Sequence, residues 1–308
     1  MGAMQEDQAP SPAPPVEFCY RHPNVATGVH CTRCGRPICT GCMIPAPVGY
    51  QCPECVGQAR REFRRGPGRP VRRGNLSATR FLLVAILVGF VLEVSAGGPD
   101  ALFNGPNGRQ LIDLGALQPF LIADGQWWRL FTAMFLHAGL LHIGFNAYAL
   151  YLFGTMMERE LGTPRFVLIY FICGFLASVA SYAFGPVEAV GVGASGAIFG
   201  VFGAFIAHNY RRRHLAQAAA NLRWAMTLIV LNALLAFSFG TIDWRAHVGG
   251  LVAGVAAGTL AEGWGPRSRR TLIGVVGFGA MVALGLAILV WRTAEIQALP
   301  LFRRLFGG

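Results

Sequence analysis

Three short stretches of the chain carry side chains whose types and spacing could do chemistry together. The first is Gly193-Ala194-Ser195-Gly196, running on to Gly200. A serine where a helix begins has free backbone N–H groups and the positive end of the helix dipole beside it, and both favour a developing oxyanion. The same position suits a plain N-cap serine, so the motif alone leaves both readings open. The second stretch is Ala246-His247-Val248-Gly249-Gly250. An ionisable residue inside an apolar run is costly and is a functional candidate by default. Its bland alternative is a structural histidine bonded to a backbone carbonyl. Gly250, Gly254 and Gly258 repeat small residues on one helical face, and Gly196, Gly200 and Gly203 offer a matching surface. Faces of that kind let two helices approach closely. The Ser195 hydroxyl would then come within reach of the His247 ring, as a nucleophile and its base require.

The third stretch, His137 to Asn146, places His142 and Asn146 at i and i+4, on one helical face. Both can donate hydrogen bonds without carrying a fixed charge, which suits an oxyanion hole. His137, five residues before His142, is expected to make a structural bond to a loop. A metal held by His137, His142 and His247 is the competing idea. It is weakened because i and i+5 do not align on one face and no carboxylate joins them.

A fourth cluster is of another kind. Cys19-x2-His22, Cys31-x2-Cys34, Cys39-x2-Cys42 and Cys52-x2-Cys55 supply eight soft ligands, enough for two closed tetrahedral zinc sites. A reactive thiol cluster, or one zinc only, is the alternative. No apolar leader precedes the cluster, so a reducing compartment is expected, where such spacing favours metal over disulfides. His30 is a spare near the knuckles, and Cys173, inside an apolar run, is expected only to pack.

The elements that must position these groups follow from composition. Of 308 residues, 54% are hydrophobic and 13% charged, against about 25% charged in soluble proteins. Seven apolar segments follow residue 76, near 76–96, 129–153, 164–184, 195–210, 222–240, 244–262 and 271–292. The fold class expected is therefore an all-α polytopic membrane protein behind a small cytoplasmic zinc-binding module. Residues 1–18 read as a disordered tail, 19–56 as the module, 57–75 as a flexible basic linker with seven Arg, 76–262 as a six-helix core, and 263–308 as a loop, a seventh span and a tail. Basic residues flank the 4–5 and 6–7 loops (Arg211, Arg212, Arg213 and Arg223; Arg267, Arg269 and Arg270), which puts the N-terminus in the cytoplasm and the C-terminus outside. All 26 basic residues are Arg, and the net charge is +11. The position of the basic linker, just before a span, favours the anionic membrane surface over nucleic acid. The 97–128 connection reads as an outer loop lying partly in the membrane interface. The fourth segment, bounded by Arg211 and the GVGAS run, is short for a bilayer, which predicts a recessed, wet cavity at Ser195.

The motifs GASGAIFG (193–200), AHVGG (246–250), HAGLLHIGFN (137–146) and WWR (127–129) together resemble the rhomboid intramembrane serine proteases. The resemblance covers about residues 76–262 and implies a "6+1" arrangement in a bacterial inner membrane. It implies a Ser195 nucleophile, a His247 general base, and an oxyanion hole of His142, Asn146 and the Ser195 N–H. Trp128 and Arg129 would belong to the structural first loop. Substrates would be transmembrane segments of other proteins, and no cofactor would enter the chemistry. Where some members carry a Tyr that packs on the histidine, this chain has Phe199. The knuckles resemble a B-box-type zinc finger. That likeness implies a cross-brace, with Cys19, His22, Cys39 and Cys42 on one zinc and Cys31, Cys34, Cys52 and Cys55 on the other. A cytoplasmic protein partner for the module is a further expectation. Two other classes stay open: a non-proteolytic adaptor that binds client helices, and a helical transporter. The transporter is weakened by the lack of an inverted repeat or an acidic residue within the central spans. Asp243, four residues before His247, is expected to cap its helix, with Phe199 stacking on the imidazole as the orienting device.

Overall fold

A computed structural model describes residues 16–65, 77–238, 242–263 and 267–306. They belong to two compact units, Met1–Arg73 and Gly74–Gly308. The expected tail up to residue 15 and the Arg-rich stretch 66–75 lie outside the described residues.

The N-terminal unit is built of turns. A two-residue hairpin pairs β1 (Ile44–Pro45) with β2 (Tyr50–Gln51), antiparallel. Helix α1 (Pro53–Arg65) follows. Ordered structure begins before Cys19: Phe18 bridges to Ala26, and His30 pairs with Glu17. Residues 57–65, expected as flexible linker, are instead helical. Gln58 bonds Glu62 one turn on (2.9 Å), and Arg33 reaches the same carboxylate (2.9 Å), so a stretch of good helix formers continues the turn that Pro53 opens.

The second unit is a helical bundle: α2 (Ala78–Gly97), α3 (Leu140–Leu161), α4 (Thr163–Phe184), α5 (Ser195–Arg211), α6 (Ala216–Ser238), α7 (Trp244–Ala261) and α8 (Arg270–Ala298). Five of these, α2, α3, α4, α6 and α8, are long and apolar enough to cross a membrane. The other two, α5 and α7, carry Ser195 and His247. The core surrounds α4, whose Phe166, Tyr170 and Cys173 are fully buried among residues of α2, α3, α5 and α7.

The second span differs from expectation. Residues 129–135 form two short turns, and the membrane-length helix starts only at Leu140. Gly139 makes the break. Its φ is +97°, and a Cβ there would stand 2.4 Å from the Phe103 carbonyl oxygen, so the chain turns there as only glycine can. Helix α3 also carries a π turn at Leu150–Gly154, where Gly154 abuts Thr79 of α2.

Helices α5 and α7 meet backbone to backbone. A Cβ on Gly254 would lie 1.9 Å from the Gly200 oxygen, and one on Gly250 would lie 2.1 Å from the Gly196 oxygen. At the end of the pair away from Ser195, Glu262 is nearly buried and accepts from Arg212 (2.8 Å) and Arg211 (3.1 Å) while contacting His208. The two helices are therefore latched at that end by charge and along their length by fit.

The first loop has its own small core of Leu111, Ala116 and Leu136. Arg129 is buried at its centre. It donates to the carbonyls of Ile112 (2.6 Å) and Ala116 (3.0 Å) and to the Gln126 side chain (2.7 Å), and lies 4.6 Å from the Trp128 ring. Helix α8 and the short helix after it (Pro300–Phe306) close on this loop, with Gln297 donating to the Ala123 oxygen (2.8 Å) and Phe302 against Phe120.

Candidate active site

Ser195 is the first residue of α5. The N-cap is Ala194, and among the described residues no side-chain hydrogen bond caps the helix. The plain capping role is thus not the one Ser195 plays. Its hydroxyl instead lies 2.9 Å from His247 Nε2, across the α5–α7 contact. The glycines explain why: with Gly196 facing Gly250, the two helices are close enough for a short serine and a histidine to touch. The first amides of a helix have no helical acceptor, so the start of α5 at Ser195 suits an anion.

The His247 ring is stacked on Phe199, centroids 4.3 Å apart and planes 11° from parallel. Asp243 is the N-cap of α7: its Oδ1 accepts from the Arg245 and Ala246 N–H groups (3.2 Å each), and its Oδ2 accepts from the Ser181 hydroxyl. Both carboxylate oxygens are therefore engaged away from the imidazole. The preceding Gly240 and Thr241 lie outside the described residues.

The strand leading into Ser195 is held from both sides. Leu117 and Gly191 exchange two backbone hydrogen bonds (3.0 and 2.9 Å), and the Gly193 N–H donates to the Ala133 oxygen (2.9 Å). Gly193 has φ +124°, and a Cβ on it would stand 2.9 Å from His142 Nε2. So His142 faces the residues just before Ser195. Asn146 is buried one turn after it and donates to the His142 carbonyl (2.9 Å), leaving a second amide hydrogen unused by that bond.

His137 departs from expectation. Its ring is buried, and neither ring nitrogen has a partner among the described residues. Its main-chain N–H makes the structural bond instead, to Glu93 in α2. The ring packs edge-on to His142, centroids 5.2 Å apart. Sequence reasoning also passes over Glu158, a buried acid in α3 that accepts from the Ala78 N–H (2.8 Å), the Thr79 N–H (3.0 Å) and hydroxyl (2.7 Å), and the Thr163 hydroxyl (2.8 Å), tying down two helix starts. The signal for Glu93 was present as the one acid inside the first apolar run.

The glycines leave no gap along the α5–α7 seam, but beside His247 the structure opens. A mostly apolar cavity of about 400 Å³ lies between α5, α6 and α7, lined by Phe199, Ile229, Ala233, Trp244, His247, Val248 and Leu251 among others.

Among the described residues, groups arranged to hold a metal occur only in the N-terminal unit: Cys19, His22, Cys39 and Cys42, and separately Cys31, Cys34, Cys52 and Cys55. His30 and the bundle histidines belong to neither. His22 Nδ1 lies 3.3, 3.5 and 3.8 Å from the sulfurs of Cys39, Cys42 and Cys19, and the Cys34 and Cys52 sulfurs are 3.9 Å apart. Four ligands each about 2.3 Å from one centre would be about 3.8 Å from one another, so both groups fit a tetrahedral ion. The thiols differ in acidity. Burial raises the pKa of Cys19, but backbone N–H groups of Cys39, Arg21 and His22 outweigh it and hold the pKa at about 6; Cys31 is lowered likewise. Burial and neighbouring thiols push Cys42 up to about 11. Deprotonating the full set takes a cation.

Residues 124–262 match the rhomboid domain family. The chain is 38% identical over 179 residues to the rhomboid protease GluP of Bacillus subtilis (strain 168), covering 58% of this chain and 33% of GluP. It is 38% identical over 133 residues to YdcA of the same organism, covering 43% of this chain and 66% of that one. It is 37% identical over 170 residues to RHOMBOID-like protein 6, mitochondrial, of Arabidopsis thaliana, covering 51% of this chain and 52% of the relative. The chain therefore spans only a third to two thirds of the length of these relatives. The Ser195–His247 contact sits inside the matched region, on the two helices that the glycines bring together, and residues 124–262 are a rhomboid domain.

Proposed function

We propose that the protein is an intramembrane serine endopeptidase that cuts transmembrane segments of other membrane proteins with a Ser195–His247 dyad. The carrying observation is the 2.9 Å contact between the Ser195 hydroxyl and His247 Nε2 at a helix N-terminus. In this reading the hydroxyl donates its proton to Nε2 as Oγ attacks a peptide carbonyl. The resulting oxyanion accepts from the Ser195 N–H, the His142 ring and Asn146. The protonated His247 then gives its proton to the leaving amine, and a water molecule, deprotonated by the same ring, releases the acyl group. The apolar cavity beside His247 suits a hydrophobic side chain of the substrate.

Helix α5 has 17 residues, about 25 Å at 1.5 Å per residue, against a hydrocarbon core of about 30 Å. That supports a Ser195 recessed below one surface. The Arg-rich loops support a cytoplasmic N-terminus, as in a bacterial inner membrane. The packing of Phe302 on Phe120 suits seven crossings, since it puts the last helix at the first-loop end. The two Cys/His groups would hold structural zinc that takes no part in the chemistry.

The test is cleavage of a reporter membrane substrate by wild type, Ser195→Ala and His247→Ala side by side, with fluorophosphonate labelling. Both variants should be inactive, and the double variant no worse, because residues acting as a unit are non-additive. Cleavage by purified Ser195→Ala would sink the protease reading. A wild type that neither cuts nor labels would point to a client-binding adaptor.

A further inference from the structure

We propose that Glu93, on the first membrane helix, is a positioning residue that sets the hydrogen-bonding direction of His142 through two consecutive peptide groups. The inference rests on the protease reading for its catalytic meaning, but not for its geometry.

Glu93 is fully buried in α2, a helix whose other long side chains are mostly apolar. A carboxyl group at that depth is costly and needs a reason. Its Oε1 accepts the main-chain N–H of His137, while Oε2 has no partner among the described residues. The acid is therefore committed to one peptide group, 44 residues away in the chain.

The next peptide group does the second part. The Ala138 N–H donates to His142 Nδ1 at 3.1 Å. An amide N–H can only donate, so Nδ1 must present its lone pair. The neutral imidazole then carries its proton on Nε2. Nε2 is the atom that faces Gly193: a Cβ there would be 2.9 Å from it and 3.6 Å from the Ser195 hydroxyl oxygen. So the Nε2–H lies toward the place where the oxyanion of a carbonyl attacked by Ser195 would form. Were the ring in the other tautomer, an unprotonated nitrogen would face that anion and repel it.

Among the described residues, Glu93 and His142 supply the side-chain hydrogen bonds to the 137–138 peptides, and Gly105 packs against the Ala138 backbone. The two peptides lie between the 3-10 turn Ala133–Phe135 and the start of α3, outside any helix, and the His137 ring makes no hydrogen bond among the described residues. Gly139 fixes the far side by packing on the Phe103 carbonyl. On the near side, the side-chain anchor is Glu93. Removing it frees the His137 peptide plane, and with it the Ala138 N–H that selects the tautomer.

The experiment is a set of kinetic and spectroscopic measurements on the full chain in detergent. Glu93→Leu should lower kcat about ten- to a hundred-fold with KM little changed, a part of the 10²–10³ that an oxyanion donor contributes. Glu93→Gln keeps the carbonyl acceptor and should restore kcat to within about threefold of wild type. In a His142→Ala background, Glu93→Leu should cost nothing further, since the two act through one group. Imidazole ¹⁵N shifts, assigned with His142→Ala, should show the Nε2–H tautomer in wild type and Glu93→Gln and a mixture in Glu93→Leu. If Glu93→Leu does not fold, Glu93→Asp, which withdraws the acceptor by one methylene, takes its place with the same expectations. An unchanged kcat, Gln no better than Leu, losses that multiply with His142→Ala, or an Nδ1–H tautomer in wild type would overturn the proposal. The ¹⁵N measurement needs no turnover. An inactive wild type with the Nε2–H tautomer, lost in Glu93→Leu, would therefore count against the protease reading and leave the positioning role standing.

Discussion

The N-terminal unit and the bundle meet the same shortage in different ways. Neither has a strong hydrophobic drive to hold it together. The module is too small to bury much apolar surface; its core is largely its own cysteines, with Ile38. The bundle is largely apolar, but lipid is as apolar as leucine, so burial there gains little. The module's solution is eight ligands converging on two points. The bundle's is close backbone contact between α5 and α7, with Gly254 on Gly200 and Gly258 on Ala204. In both regions stability rests on a few specific contacts, and those contacts are what set the geometry.

Removing the metal should have the largest effect, and only in one region. Structural zinc contributes roughly 10–16 kcal/mol in small zinc-finger peptides. Elemental analysis should give two zinc ions per chain, and a strong chelator should expose residues 19–55 to protease. Cleavage by the bundle should survive, as should cleavage after deletion of residues 1–56. Loss of activity on chelation would show that the two regions are coupled.

The bundle's equivalent is a single methyl group. Gly254→Ala puts a Cβ where the Gly200 oxygen is 1.9 Å away, and it should cost about 3 kcal/mol or more, at or beyond the usual range for overpacking. The same change at Gly279 of α8, where nothing lies within 4 Å, should stay within about 0.5 kcal/mol. Thermal unfolding in detergent compares them directly, and equal shifts would refute the account of the seam.

Smaller effects separate the site from its supports. Asn146→Ala should lower turnover by less than the 10²–10³ typical of an oxyanion donor, because two donors remain. An unchanged kcat would remove Asn146 from the site. Asp243→Asn should keep most activity and lose at most about 1 kcal/mol, as for a weakened cap. A fall of about 10⁴ in turnover would mean that it orients His247, as the aspartate of a soluble triad does.

The site was more legible in the sequence than the elements around it. Ser195, His247, His142 and Asn146 stand in short motifs, and glycine spacing announced which helices would touch. The second span starts later than its hydropathy suggests because residues 130–136 are apolar enough to read as part of the helix. Only the conformation at Gly139, which hydropathy does not register, separates loop from helix. Helix α6 starts at Ala216, before its apolar block, because a stretch such as Ala216-Gln217-Ala218-Ala219 favours helix by propensity without being hydrophobic. Conversely, α5 and α7 are too short or too glycine-rich to count as spans by length and hydropathy. The feature that weakens their membrane signature is the one that lets them pack. The Glu93–His137 bond was hidden because its acceptor belongs to a distant helix and its donor is main chain.

The order of the pieces along the chain has a consequence for synthesis. Ser195 and His247 are 52 residues apart, with α6 between them. A chain emerging from the ribosome therefore inserts its hydroxyl long before the imidazole that meets it. At about 5–20 residues per second, several seconds separate the two. Through that interval the hydroxyl lacks the imidazole that it meets in the folded bundle. Whatever chemistry the pair performs, the arrangement of helices acts as a timer that withholds it until α7 has followed α6 out of the ribosome.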